Sequence, residues 1–427
     1  MEAWRKQHRL VLPVLLLFVP LLIGVVNSAR AIPAFSRKYQ TSCTTCHYAF
    51  PQLNAFGKAF RNNGYRYPGG DENFRKEEPV SLGSEAYKQV WPDAIWPSDI
   101  PGTSPLAVHA IGQYEMKFHQ PDSVARSVFE FPGAVEILYA GTLGDKFSFF
   151  GEVAVETEGG AVETGFPFRL ELNQRPGFNV VLGSFVVDPT PGHRSLIPTE
   201  FNVSMLESRN GWMLHEEKPG LELWGAGNGS GGRGGWKYQA GVMEGQGGDA
   251  GRDKDVFAQV TYKVGGLGEL GGTEGQASQT SAFYRDNSVT VGGFVSSGRV
   301  GADLFADKED LTVVAGTLDA WYERAILNAT AMSMNSRIGG TPDRKSLAWY
   351  AQGQYVIYPW LIGLARYEST DEDTDDAVDP QTTLIPAVAG MVRANVKLTL
   401  QYVRPISDYD ARKADEERVV AKLDFSL

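Results

Sequence analysis

In Val256-Phe257-Ala258-Gln259-Val260-Thr261-Tyr262-Lys263-Val264, every second residue from Val256 is apolar, and Gln259, Thr261 and Lys263 fall between. Successive side chains of a strand point to opposite faces, so period two with polar groups on one side marks a strand with one wet face. The same alternation recurs. Phe166, Phe168, Leu170 and Leu172 interleave with Arg169 and Glu171, and Trp236, Tyr238, Ala240 and Val242 with Lys237, Gln239 and Gly241. Val396, Leu398, Leu400 and Tyr402 alternate with Lys397, Thr399 and Gln401, and Ala421, Leu423, Phe425 and Leu427 with Lys422, Asp424 and Ser426. About sixteen such strands are predicted, near residues 106, 134, 147, 166, 178, 220, 236, 256, 288, 312, 325, 347, 360, 385, 396 and 419.

A soluble sandwich alternates in the same way, with its apolar face inward. Connection lengths separate the two. Links after even-numbered strands are short (141–146, 173–177, 358–359, 394–395) and those after odd-numbered strands mostly long (188–220, 298–310, 368–383, 405–417). Short turns on one side and long loops on the other predict an outer-membrane β-barrel in contact with lipid, both termini on the short-turn, periplasmic side. The glycine-rich stretches 225–235 and 265–275 break this rule. The C-terminus agrees only in part, since Leu427 follows Phe425 where such barrels usually end on an aromatic residue. The 48 Gly, 17 Tyr, 22 Phe and 9 Trp, with a mean hydropathy of -0.24, suit short strands joined by turns. A barrel of this size is expected to enclose an aqueous channel.

Arg5, Lys6 and Arg9 precede an apolar run from Leu10 to Val26, then Ala29-Arg30-Ala31, the pattern of a secretory signal cleaved before Ile32. An uncleaved anchor is the alternative. The net charge is -11, and the excess of acid falls after residue 100, which argues against nucleic acid. The predicted organisation is therefore a signal at 1–31, a small head at 32–90, a proline-rich connector at 91–105 and the barrel at 106–427. Four X-Pro steps make the connector extended at ~3.1 Å per residue, long enough to run the height of the barrel.

The head carries Cys43-Thr44-Thr45-Cys46-His47, and these are the only 2 cysteines in the chain. C-x-x-C-H is the attachment pattern of c-type haem: each thiol adds to a vinyl group and the adjoining imidazole ligates the iron. The site residues are thus Cys43, Cys46 and His47, with one covalent haem c as cofactor and His47 as its metal ligand. A zinc site would need further ligands that the neighbourhood lacks. A redox dithiol would have no need of His47. After the motif, Pro51 suits a first helical turn, Leu53, Phe56 and Phe60 fall on one face, and Asn63-Gly64 suits a C-cap.

The run Ala34-Phe35-Ser36-Arg37, the motif from Cys43 to His47, then Pro51, Leu53-Asn54, Phe56-Gly57, Phe60 and Gly64-Tyr65 resembles the N-terminal cytochrome of the fused cytochrome-porins of bacterial outer membranes. The motif match covers about the first 35 mature residues; beyond them the similarity is one of layout. The resemblance implies a monohaem cytochrome c fused to a barrel, an electron-transfer protein passing electrons from an extracellular donor such as Fe(II) to a periplasmic c-type cytochrome. Alternatives are a diffusion porin whose haem head gates or senses, and outward flow of electrons.

A head of this size has a radius of gyration near ~11 Å and would fit the lumen as a plug. Hanging below the pore is the competing arrangement. No methionine, and no histidine besides His47, lies between Ile32 and Pro105. A sixth ligand from histidine or methionine would come from the barrel: His109, Met116 or His119 near the first strand, or His193, Met205, Met213 or His215 in the loop after the fifth. A lysine, Asn54, the mature N-terminal amine and five-coordinate iron stay open. The acidic loop 368–379 is either a solvated loop or a collector of Fe(II) or Ca²⁺.

Overall fold

The computed structural model describes residues 34–78, 80–81, 99–102, 104–121, 124–158, 161–191, 196–199, 201, 203, 206–247, 252–272, 282–301, 308–376 and 378–426. The signal and most of the connector lie outside these residues. Among them, sixteen antiparallel strands close into a barrel, β16 pairing with β1. They are β1 (Leu106–Lys117), β2 (Ser127–Leu143), β3 (Phe147–Glu158), β4 (Ala161–Gly165 continued by Phe168–Arg175), β5 (Phe178–Phe185), β6 (Lys218–Asn228), β7 (Gly235–Glu244) and β8 (Lys254–Gly265). The wall continues with β9 (Ser288–Gly301), β10 (Glu309–Tyr322), β11 (Ala325–Ile338), β12 (Arg344–Tyr358), β13 (Leu361–Asp371), β14 (Gln381–Arg393), β15 (Val396–Pro405) and β16 (Arg418–Ser426). Every strand expected from alternation is present.

The apolar face points outward. Val256, Val260, Tyr262 and Val264 are exposed while Asp255, Phe257 and Lys263 are buried. Leu400 is exposed where Lys397, Thr399 and Gln401 are buried. This is the inverse of a soluble sandwich, whose apolar side chains would face in. Tyr322, Tyr355, Tyr358 and Trp360 stand exposed beside the turns 323–324 and 359–360, forming part of an aromatic belt at that end.

The turns 144–146, 176–177, 323–324, 359–360 and 394–395 lie at one end, and the loops 186–217, 372–380 and 406–417 at the other. One long link, 266–287, breaks this order, and its role explains why. Its described residues 266–272 lie over the head: Asn62 Nδ2 donates to Glu269 O (3.0 Å) and Asn63 Nδ2 to Leu270 O (3.0 Å), with Leu267 packed on the head's aromatic cluster.

The head sits in the mouth at the short-turn end. Its elements are α1 (Ala34–Tyr39), a 3₁₀ turn (Cys43–Thr45), a ribbon of His47–Ala49 with Gln52–Leu53, α2 (Ala55–Asn62) and α3 (Asp71–Phe74). Lys58 Nζ pairs with Asp319 of β10 (2.5 Å), and Tyr48 donates to Gln354 of β12 (2.9 Å). Lys397 of β15 donates to Phe50 O (2.9 Å), and Arg66 to the Gly144 and Phe147 carbonyls (both 2.8 Å). These partners come from all round the wall, so the head is a plug seated in the lumen. The expectation that the connector runs the height of the barrel falls mostly outside the described residues; of the connector, Asp99–Ile100 pairs antiparallel with Val80–Ser81.

The lumen is not the expected water-filled channel throughout. The described residues of the loop 186–217 turn inward and pack Phe201, Leu206, Trp212 and Leu214 against Val313, Met332, Met334 and Tyr350. Phe201 stacks on Tyr350 (4.4 Å), and Leu196 and Ile197 reach Tyr48 and Ala49 of the head. The loop's base is held by buried Asp255, which accepts from Trp212 Nε1 (2.8 Å) and Lys218 Nζ (2.7 Å). α4 (Tyr409–Glu416) lies in the loop 406–417.

Candidate functional site

Ser42 begins the motif by capping the 3₁₀ turn: its hydroxyl accepts from Thr44 N (3.1 Å), and Cys46 N donates to Cys43 O (3.2 Å). One turn therefore presents both thiols and delivers His47 directly after them. Asn54, not Pro51, starts α2. Its Oδ1 accepts from Gly57 N (2.8 Å), and its Nδ2 donates to Thr44 O (3.2 Å) and Thr45 O (3.1 Å). Asn54 thus caps the helix and ties it to the motif, which leaves its side chain committed and removes it as an iron ligand.

Gly57 is where helix and motif touch. A Cβ there would lie 2.1 Å from Cys46 O and 2.9 Å from Leu53 Cδ2. Gly57→Ala is expected to push the helix off the motif at a cost of about 1–3 kcal/mol and to lower haem incorporation, read as absorbance per barrel, with barrel folding kept.

His47 Nδ1 lies 3.1 Å from Pro51 O. A carbonyl only accepts, so the proton is on Nδ1 and the Nε2 lone pair is left for a metal. A backbone carbonyl behind the ring is the usual way a ligating histidine is held in its tautomer. Burial lowers the His47 pKa to about 4. Its folded value lies below the ordinary 6.5, so the unfolded state binds more protons below that pH and stability falls as pH drops toward 4. In haem-free protein, acid is expected to loosen the head over this window, read as a change in Trp321 fluorescence against Tyr48; His47→Gln should abolish the dependence.

Burial pushes the Cys43 thiol up and the Cys46 thiol up to about 12. A reactive dithiol needs the opposite shift. An uncharged thioether suits this environment, and the two sulfurs are not joined to each other. Cys46 packs on the cluster of Tyr39, Phe56, Phe60, Tyr65 and Tyr67, so the aromatic face of α2 forms a mini-core with a motif sulfur at its edge. The residues present thus fit a covalent haem: two adjacent sulfurs, an oriented imidazole and an aromatic wall.

The histidines and methionines considered as sixth ligands are dispersed. His109 faces two carboxylates, Glu136 (Nδ1, 2.8 Å) and Asp424 (Nε2, 3.4 Å), and Phe50 packs against both its ring (5.2 Å) and that of His47 (5.3 Å). His119 lies past the far end of β1 against Glu417, and His215 lies 4.0 Å from Asp188. Met116 pairs with Val419 at that same far end, and Met213 N is bonded to Gln246. His193, Met205 and the mature N-terminus fall outside the described residues. In the acidic loop Glu372 lies near Arg344 (3.4 Å), and among the described residues no three His, Cys, Asp or Glu side chains gather as a metal site.

Sequence reasoning missed Pro51 O, Lys58, Lys397 and the loop 266–287 as parts of the head's setting. Only Gly57, three residues after Asn54, carried a local signal.

No protein-family model matches the chain, and no curated protein does. Among solved structures it is similar to an anion-selective porin from Comamonas acidovorans (11% identity, TM-score 0.52, covering 75% of this chain and 98% of that one). It is also similar to OmpF of Salmonella typhi in complex with daunomycin (10%, 0.52, 75% and 97%). The outer membrane channel DcaP of Acinetobacter baumannii is a third (15%, 0.50, 75% and 96%). At these identities the likeness is one of fold, a closed porin-type barrel.

Proposed function

We propose that this chain is an outer-membrane cytochrome-porin that carries electrons between an extracellular donor, with Fe(II) a candidate, and a periplasmic c-type cytochrome. The observation that carries this reading is His47, held through Nδ1 by Pro51 O, directly after two thiols presented on one turn. Cys43 and Cys46 would hold the haem and His47 would ligate its iron. The haem would supply a one-electron couple, which asks no acid or base of the protein. Lys397 and Lys58 fix the head against the wall, while Tyr48 and Phe50 shield the site from lumen water.

The outward apolar face and aromatic belt support placement in a lipid bilayer. The position of the head at the short-turn mouth supports a periplasmic exit for electrons. A diffusion porin is the weaker reading, because head and inward loop meet inside the lumen at Tyr48, Ala49, Leu196 and Ile197. Adding Fe(II) to intact cells and following the reduced-haem absorption tests the proposal. Reduction that His47→Ala abolishes supports it, and a haem that stays oxidised with Fe(II) and other external reductants overturns it.

A further inference from the structure

At the rim of the barrel end opposite the head, four side chains from three segments converge on one point. Glu417, at the end of α4, accepts from His119 Nε2 (2.7 Å) and Tyr409 Oη (2.7 Å) on one oxygen and from Tyr402 Oη on the other. His119 comes from the loop 118–126, Tyr402 from β15 and Tyr409 from the first turn of α4. The segments are fixed to each other: Phe118 N donates to Glu417 O (3.2 Å), Gln120 Nε2 to Ala414 O (2.8 Å), and Phe118 packs edge-on against Tyr402. The Glu417 side chain is 6% exposed and that of His119 40%, so the cluster is buried on one side and open to solvent on the other.

We propose that His119, Tyr402, Tyr409 and Glu417 form a binding site for a hard trivalent cation, Fe(III) above all. Donors that each lie within about 3 Å of an oxygen of one carboxylate are spaced to share an ion with it at about 2 Å from each. Phenol oxygens decide the charge. A phenol ionises near pH 10, so at neutral pH a divalent ion leaves it protonated, while a trivalent ion is strong enough to displace the proton; tyrosinate is an established ligand of ferric iron. On binding, two O–H bonds break, two Fe–O bonds form and two protons pass to water. Two phenolates and one carboxylate then balance the three positive charges, and His119 adds a neutral nitrogen after its proton moves to Nδ1. The hydrogen bond to Glu417 raises the Tyr409 pKa, and Arg404 and Lys413 over its ring (5.6 and 5.5 Å) offset this only in part, so it is the trivalent ion that must displace the proton.

The bland reading is a latch, with Glu417 satisfied by three donors and holding two loops together. It predicts no affinity for metal. β16 runs from this cluster to the head, which at ~3.4 Å per residue is on the order of 27 Å, so the site is not where an electron would enter the head. It fits retention of the oxidised ion at the outer mouth. The inference stands on these four side chains alone; it would connect with the proposed function because Fe(III) is what an Fe(II) donor becomes on losing one electron.

Titrating the detergent-extracted full-length protein with ferric nitrilotriacetate tests it, read as iron retained after dialysis and as phenolate-to-iron absorption in a difference spectrum that cancels the protein's own colour. A single retained ferric ion with that absorption is expected. Tyr402→Phe and Tyr409→Phe, which keep the rings, should each weaken binding at least about tenfold and diminish the band. His119→Gln, at a half-exposed position, should weaken binding alike if a phenylalanine variant fails to fold. No retained iron and no band in the parent, or binding unchanged in the double phenylalanine variant, would overturn the site. Neither result depends on whether Fe(II) reduces the haem.

Discussion

Replacing both Cys43 and Cys46 by alanine is expected to abolish haem binding while leaving a folded, inserted barrel. Neither cysteine touches a barrel strand in a hydrogen bond, and the head's attachment runs through Lys58–Asp319, Tyr48–Gln354 and Lys397–Phe50. Loss of the Cys46 sulfur from the aromatic cluster should cost about 1 kcal/mol, the common size of a single-site effect. Electrophoretic migration with and without heating checks the barrel, and the absorption spectrum checks the haem. Were Cys43 and Cys46 instead a redox dithiol, the parent and the variant would share one visible spectrum and differ only in thiol titration.

Asp255→Ala is expected to free the inward loop and raise single-channel conductance. The carboxylate is fully buried and holds both Lys218 Nζ and Trp212 Nε1. Its removal leaves the Lys218 ammonium, 4% exposed, without its partner, and breaking one half of a buried pair costs about 3–5 kcal/mol. The least costly escape is for the loop base to leave the wall and take Trp212 and Leu214 out of the lumen core. Planar-bilayer recordings on parent and variant would show it. Equal conductance would mean that the core of Phe201, Trp212 and Tyr350 holds the loop unaided.

The barrel was legible because its signal is local. Alternation at 256–264 or 396–402 is imposed by the pleat and needs no knowledge of neighbours, and turn lengths ordered the two ends. Which way the apolar face pointed was settled only by the closed wall, where Val260 faces out and Lys263 in. The motif residues were legible for the same reason, being contiguous. Asn54, one of the sixth ligands left open by the sequence, is spaced from Gly57 as a helix cap is, and capping is what its side chain does. Pro51 was misjudged as a first-turn residue because the helix begins later, at Ala55. The glycine-rich link 266–287 carries no period, so its role over the head could not be read. Lys58 with Asp319, and His119 with Glu417, are pairs of isolated polar side chains hundreds of residues apart that only strand order brings together. The expectation of an aqueous lumen does not hold throughout, because Leu311, Val313 and Ala315 put apolar side chains on the inner face of β10, where the returning loop covers them.

The central claim is that a porphyrin is bonded through Cys43 and Cys46 to a head seated in a porin-type barrel. The most direct measurement is the alkaline-pyridine absorption spectrum of the membrane-extracted chain after denaturation and removal of everything not covalently attached. A single haem per chain with the band position of a thioether-linked porphyrin is predicted. A denatured chain that is colourless, or that surrenders its porphyrin to acidified solvent, would contradict it.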